Sequence, residues 1–419
     1  MEFWNILQST LLLSAVLGVS GLAVVRLRGC VDAEDPVWTV FVVALLIRVP
    51  LAIILYRTLP RDWLDVDWMM YESAGRALAE GGTIEPLLNE GLGALAHGLL
   101  NAAVFSMVGF QPLTLRALNA ILGALACAIV YVLLERLNGD GAHSKIGALA
   151  VAVWPTFIAW STTNSKEMAM AVAAIGVFYC ALSLSRRFRP STAAVMIALG
   201  LFMCLLRIYL VLLVLPVVVT YIIVVWSVRK HTLKVSVAIL AIWTIAATAF
   251  LSVAVQRTVG LYDLGTEGLE TLNAFRRLVA RGGAQMEVAP FEHVSDVVLF
   301  MPQAVANYFL RPFPWEWGSL NQTVGALTMI AYYPFLLMTV VSIPRLWRRE
   351  RAFTAFFVIQ VLVLAAAYGT MEGNMGSLMR HRAYVEVLIL GIGVTQFVQW
   401  LQNRPKANDE RLDSSITAS

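Results

Sequence analysis

Long apolar runs separated by short polar segments set the pattern of this chain. The runs lie near 7–25, 38–56, 114–134, 146–160, 168–185, 192–206, 210–228, 235–255, 323–343, 352–369 and 384–400. They reach or approach the roughly 20 residues a helix needs to cross a bilayer core. None shows the ten-residue alternation of an outer-membrane barrel strand. The pattern predicts an all-α polytopic membrane protein with about eleven spans and one transmembrane domain over 1–402. A polar tail follows at 403–419.

Sidedness follows from the basic residues in the short loops. Arg186, Arg187 and Arg189 form one knot, Arg229, Lys230 and Lys234 a second, and Arg345, Arg348, Arg349 and Arg351 a third. Two spans separate each neighbouring pair, so all three knots fall on the cytoplasmic side, together with the tail. The outer loops are then a tight turn at Arg207–Tyr209, a long segment at about 256–322, and the stretch 370–383. The first outer loop, about 58–113, faces outward only if 92–110 does not cross. With His97, Asn101 and glycines at 91, 93, 98 and 109, that stretch reads as a half-buried interfacial helix. An amphipathic run at about 266–281 is expected to lie along the membrane surface, although its Arg276, Arg277 and Arg281 count against an outer location.

Composition agrees: 59% of residues are hydrophobic, 14% are charged, and the mean hydropathy is +0.73. Soluble, disordered and collagen-like classes are excluded. The net charge of +4 comes from the loop knots, which excludes a nucleic-acid patch. Cys30, Cys127, Cys180 and Cys204 have no CxxC spacing, which argues against a disulfide framework or zinc site. The N-terminal run lacks a preceding positive region and reads as a retained first helix.

Candidate chemistry gathers in the outer loops. The first carries Asp62, Asp65, Asp67, Glu72, Glu80, Glu85 and Glu90 against Arg61 and Arg76. Carboxylates at a membrane rim can act as general bases or hold a divalent cation; they also cap helices and keep a loop in water. Glu167 opens the helix after WSTTNSKE and shares the face of Asp67, unless Ser165 merely caps a helix that welcomes an acid in its first turn. Arg380, His381 and Arg382 sit on the side that arginine tends to avoid. Guanidinium groups grip phosphate through paired hydrogen bonds, so a lipid phosphate at the outer interface is their natural partner, with snorkelling to headgroups the plainer reading. Arg207 and Arg311 are further cations of outer turns, and Trp315 and Trp317 read as interface anchors. Arg48, inside the second run, needs a partner that the sequence does not name.

The sequence Asp67-x-x-x-Tyr71-x-x-Ala74-x-x-Leu78-x-x-Gly81, followed by Gly109, Arg116 and Asn119, resembles the GT-C superfamily of membrane glycosyltransferases. WPTFIAWSTTNSKE is similar to a segment of bacterial members related to protein mannosyltransferases and lipid A sugar transferases. The resemblance covers roughly 38–190. It implies a GT-C-like fold in the cell (inner or plasma) membrane, with the active site on the extracytoplasmic face. It also implies transfer of a hexosyl or pentosyl unit from a polyprenyl-phosphate sugar to a lipid-linked or surface-polysaccharide acceptor. Asp67 and Asp65 would be the catalytic carboxylates, and Arg380, His381, Arg382 and Arg207 would bind the donor phosphate. Glu167, Tyr71 and Arg311 would assist. The family often has a second acid after the aspartate, where this chain has Trp68, and that departure weakens a paired-carboxylate metal site. A divalent cation, Mg or Mn, would have to fall to Asp65, Asp67 and Glu167. Two other readings stay open: a polysaccharide polymerase or ligase using a polyprenyl-pyrophosphate glycan, and a flippase or transporter for a lipid-linked sugar. A transporter would carry charges or broken helices at mid-membrane, often in two similar halves.

Overall fold

In a computed structural model, residues 2–28, 35–58, 67–230, 266–280, 284–318 and 320–403 are described. Among them the regular elements are all helices: α1 (Glu2–Arg28), α2 (Pro36–Thr58), α3 (Asp67–Ala79), α4 (Glu85–Asn89), α5 (Leu92–Val108), α6 (Pro112–Asn138), α7 (Gly141–Ala152), α8 (Pro155–Ser161), α9 (Glu167–Arg186), α10 (Pro190–Leu206), α11 (Leu210–Leu213), α12 (Leu215–Lys230), α13 (Thr266–Val279), α14 (Val294–Leu310), α15 (Leu320–Arg349), α16 (Arg351–Met371) and α17 (Met375–Gln402). The chain is an all-α multi-pass membrane protein.

Among the described residues, seven helices are long and apolar enough to cross a membrane: those in α1, α2, α6, α9, α15, α16 and α17. They coincide with seven of the predicted segments. The stretch 192–206 gives a shorter apolar helix, α10; 210–228 divides into α11 and α12; 235–255 lies outside the described residues. The predicted amphipathic run appears as α13. Within the expected long outer loop lies α14, a 17-residue apolar helix that the loop reading passed over. The stretch 92–110 forms α5, also 17 residues long and shorter than a usual crossing.

The fourth segment, 146–160, is broken. Pro155 has no backbone N–H, and its ring would clash with the Val151 carbonyl, so α7 ends at Ala152 and α8 starts afresh at Pro155. The break frees the Ala152 carbonyl in apolar surroundings. Arg48, fully buried on α2, donates to it from Nη1 at 2.8 Å and lays its guanidinium over the Phe157 ring. The partner that the sequence left unnamed is therefore the end of a neighbouring helix, where a cation also meets the negative pole of the helix dipole.

The helices differ in how deeply they sit. The most apolar windows of α6 and α17 are 78% buried, and that of α1 is 11% buried, which makes α6 and α17 the axis of the bundle. Small residues bring the axis and its neighbours together: a Cβ on Gly147 of α7 would meet Thr395 and the Gly391 carbonyl of α17, and one on Gly393 would meet the Phe335 carbonyl of α15.

Two polar ends result. At one, Arg186 Nε pairs with Glu350 at 2.7 Å, and Arg349 donates to the Leu137 and Asn138 carbonyls that close α6. At the other stand the N-terminus of α9 at Glu167, the C-terminus of α10 and the turn between α16 and α17. The 20 residues of α9 separate the two ends by about 30 Å at 1.5 Å per residue. The first and third basic knots thus stand at one end of α9, and Asp67, Glu167, Arg207 and Arg380 at the other; Lys234 of the second knot lies outside the described residues.

Candidate functional site

Each site residue stands where an element stops. Asp67 opens α3, Lys166 and Glu167 open α9, Arg207 closes α10, and Glu372 closes α16. Asn374 caps α17 by accepting from the N–H groups of Gly376 and Ser377, which places Arg380 and His381 in the helix's second turn. The preceding turn is pinned by segment 284–286, where Met286 N donates to Gly373 O and Met375 N to Ala284 O.

These ends converge into a charged cluster. Arg380 bridges two carboxylates: its Nη1 donates to Asp67 Oδ2 at 2.9 Å, and its Nε lies 3.6 Å from Glu167 Oε1. Glu167 also accepts from Arg207 Nη2 at 2.5 Å. Arg207 Nη1 donates to the Tyr209 hydroxyl at 2.7 Å and also faces His381 Nε2. A guanidinium has no lone pair, so His381 Nε2 must accept, and the ring proton sits on Nδ1. That nitrogen lies 2.7 Å from Glu372 Oε1 at an oblique angle that leaves it without a proper hydrogen bond. Lys166 completes the group, its ammonium 5.6 Å from the centre of the Tyr71 ring, which packs in a T-shaped pair with His97.

Burial sets the electrostatics. Glu167, Arg207, Glu372 and His381 are buried, Arg380 is mostly covered, and the Asp67 side chain is 45% exposed. Removal from water pushes the Glu372 carboxyl up to about 7, against the pull of Arg207 and Arg380. It brings the Lys166 ammonium down to about 8, with Arg207 acting in the same direction. The Tyr71 phenol is raised by burial and then by Asp67, so it stays protonated at neutral pH. Lys166, Arg207 and Arg380 face Asp67, Glu167 and an acid that is protonated for part of the time. The set can hold an anion once its internal pairs open.

Beside Arg380 on α17, Met375, Gly376 and Met379 line a cavity of about 680 Å³ with walls from α2, α8 and the start of α15. Leu51, Leu55, Trp160 and Val324 make it largely apolar, with Thr156, Gln322 and Thr328 as its few polar groups.

The structure brings Asp67, Tyr71, Glu167, Arg207, Arg380 and His381 together. It does not bring Arg382 to them. Arg382 is fully buried, pairs with Glu386 Oε2 at 3.2 Å, donates from Nη1 to the Tyr308 and Arg311 carbonyls, and sets Nη2 against Met329 Sδ. Glu386 in turn accepts from Trp154 Nε1 and Thr156 Oγ1. Consecutive helical residues turn about 100° from one another, so 380, 381 and 382 cannot all face one ligand. Arg311 lies apart too, paired with Glu316 at 3.2 Å. Trp315 and Trp317 are exposed.

Asp65 and Asp62 lie outside the described residues. Among the described residues no three His, Cys, Asp or Glu side chains are grouped to hold a metal ion, and Asp67 and Glu167 form ion pairs with guanidinium groups.

Two residues of the cluster were not selected from the sequence. Lys166 could have been found as the cation beside Glu167. Glu372 could have been found as the one acid among the arginines of 370–383.

No family model matches this chain, and no curated protein matches it in sequence.

Proposed function

We propose that this protein is a GT-C-like membrane glycosyltransferase that moves a sugar from a polyprenyl-phosphate carrier to a lipid-linked or polysaccharide acceptor at the extracytoplasmic face. The observation that carries this reading is the Asp67–Arg380–Glu167–Arg207 cluster standing beside a large apolar cavity on α17. A substrate with a charged phosphate at the end of a long hydrocarbon asks for those two surroundings side by side.

The chemistry follows from the groups present. Arg380, Arg207 and Lys166 take the donor phosphate and stabilise the negative charge that builds on it as the bond to the sugar carbon breaks. Asp67, the most exposed acid of the cluster, accepts the proton of the acceptor hydroxyl as that oxygen bonds to the sugar carbon. The carrier phosphate leaves with the electron pair. In the resting site Asp67 is paired with Arg380, so a phosphate that draws Arg380 toward itself also releases the base. Glu167 holds Arg207 and Arg380 in register, and His381 supports Arg207 from behind.

Asp67→Asn is expected to abolish sugar transfer by the purified protein from a radiolabelled polyprenyl-phosphate sugar, with protein level and lipid-phosphate binding retained. Full transfer by that variant would remove Asp67 from the mechanism.

A transporter reading could draw on the broken helix at α7–α8. The freed carbonyl there is occupied by Arg48, whereas a transport site would leave it for the cargo.

A further inference from the structure

Behind the cluster, α13, α14 and the end of α16 enclose a second, smaller cavity of about 40 Å³, lined by Arg276, Gln303, Asn307, Arg311 and Glu372. Its polar walls are unfinished. Arg276 Nε, Arg311 Nε and Glu372 Oε2 are buried and have no hydrogen-bond partner within the protein. An orphaned buried polar atom carries a penalty comparable to a lost hydrogen bond. Each belongs to a residue that lines this cavity, and the three residues come from three elements.

Arg276 is held there firmly. Its Nη1 donates to the Ala289 carbonyl at 2.8 Å, and its guanidinium lies over the Phe291 ring at 3.9 Å. Asn273 ties the same segment down through Phe291 N and O. The side chain is therefore fixed while Nε remains unpaired. Across the cavity, Glu372 turns its other oxygen, Oε1, toward His381, which contacts Arg207. A single carboxyl is thus shared between this cavity and the charged cluster.

The lining supplies guanidinium and amide donors, carboxyl and amide acceptors, and the side of an aromatic ring, Phe300. Charges of both signs are present, which suits neither a phosphate nor a cation. A hydroxyl group, which donates and accepts at once, satisfies both walls. The volume holds about three waters, or the hydroxyls along one edge of a sugar, with the rest of the ring outside against the exposed Glu287 and Gln303.

We propose that this cavity is a sugar-hydroxyl subsite that holds one edge of the acceptor glycan and places it behind the Arg207–His381 pair. The proposal rests on the reading of this protein as a sugar transferase. Glu372 then has two tasks: it accepts from the bound sugar and it faces the imidazole that supports Arg207.

Saturation-transfer NMR on the full chain in lipid nanodiscs tests it, with methyl glycosides of glucose, mannose and galactose as probes. At least one should receive saturation at its ring protons, and Asn307→Leu should weaken it roughly fivefold to tenfold, the loss of one or two hydrogen bonds. Gln303→Leu, at an exposed position that leaves folding undisturbed, should also weaken binding and decides the matter if Asn307→Leu does not fold. No transfer to any glycoside, as expected of a cavity that holds only ordered water, would overturn the proposal. Binding that both folded variants leave unchanged would overturn it as well. Polyprenyl-phosphate binding to the same preparation is measured separately. If it is absent while glycosides bind, the transferase reading falls and the sugar subsite stands; the reverse result removes the subsite alone.

Discussion

At the scale of single residues, the charged cluster predicts how pH acts on anion binding. Glu372 titrates near 7 and Lys166 near 8. As pH rises through 7, Glu372 gains a negative charge; as it rises through 8, Lys166 loses a positive one. Both changes oppose an anion. Affinity for a short-chain phosphatidylglycerol, whose single charge is constant over this range, should therefore fall between pH 6.5 and 9 in a titration followed by calorimetry. Glu372→Gln should remove the lower step and Lys166→Met the upper one; an affinity that is flat with pH in the unmodified protein would contradict the assignment. Stability carries the signs of the same two groups. Glu372 has a folded value above its ordinary 4.5, so its contribution is fully present below about 4.5 and is lost as pH rises through 7. Lys166 is depressed, so the folded state gains relative stability as pH rises from about 8 toward 10.5. Arg382 gives a contrasting case. Arg382→Met should leave lipid-phosphate binding by Arg380 in place yet lower the thermal unfolding midpoint, because it strips partners from Glu386 and from the Tyr308 and Arg311 carbonyls. Loss of one partner from a buried ion pair costs about 3–5 kcal/mol.

At the scale of elements, the break between α7 and α8 couples Pro155 to Arg48. Arg48→Met keeps the apolar stem and removes the donor to the Ala152 carbonyl. It should destabilise the protein by about 1–3 kcal/mol, the usual cost of a buried polar group left unpaired, as read by thermal unfolding in detergent. The double variant Arg48→Met, Pro155→Ala should recover part of that loss by letting the helix run on through 153–155. Additive losses would show that the two residues are independent. This break was legible in advance, since Pro155 stands inside a predicted span, yet hydropathy summed over a window is blind to one missing N–H. α14 escaped for the opposite reason: Asp296 and Pro302 interrupt its apolar run, and the polar residues on either side draw the whole stretch into a loop. The seven long helices needed nothing beyond hydropathy, because burial in lipid or protein demands the same residue types.

At the scale of the molecule, the pairing of Asp67 with Arg380 spans 313 positions, and no local pattern contains it. What made both ends visible was their oddity: acids gathered in one loop, and arginines in a stretch where the expected topology leaves them scarce. Oddity finds residues but not directions. It marked Arg380, His381 and Arg382 alike, and only the turn of α17 decides that the first meets Asp67, the second supports Arg207 and the third staples α8, α14 and α15 to the axis. Glu372 gave no such signal, because a lone acid in a turn is ordinary until its neighbours are known.

One consequence of that long-range pairing concerns selectivity. With its two guanidinium groups already engaged by its own carboxylates, the cluster offers a passing anion little field to fall into, and dissolved inorganic phosphate must displace those pairs unaided. A carrier whose hydrocarbon lodges in the cavity beside Met375 and Met379 delivers its phosphate at high local concentration and can win the exchange. The site would then be indifferent to the phosphate in its surroundings and responsive to the same group on a tail, a discrimination made by the tether and not by the charge.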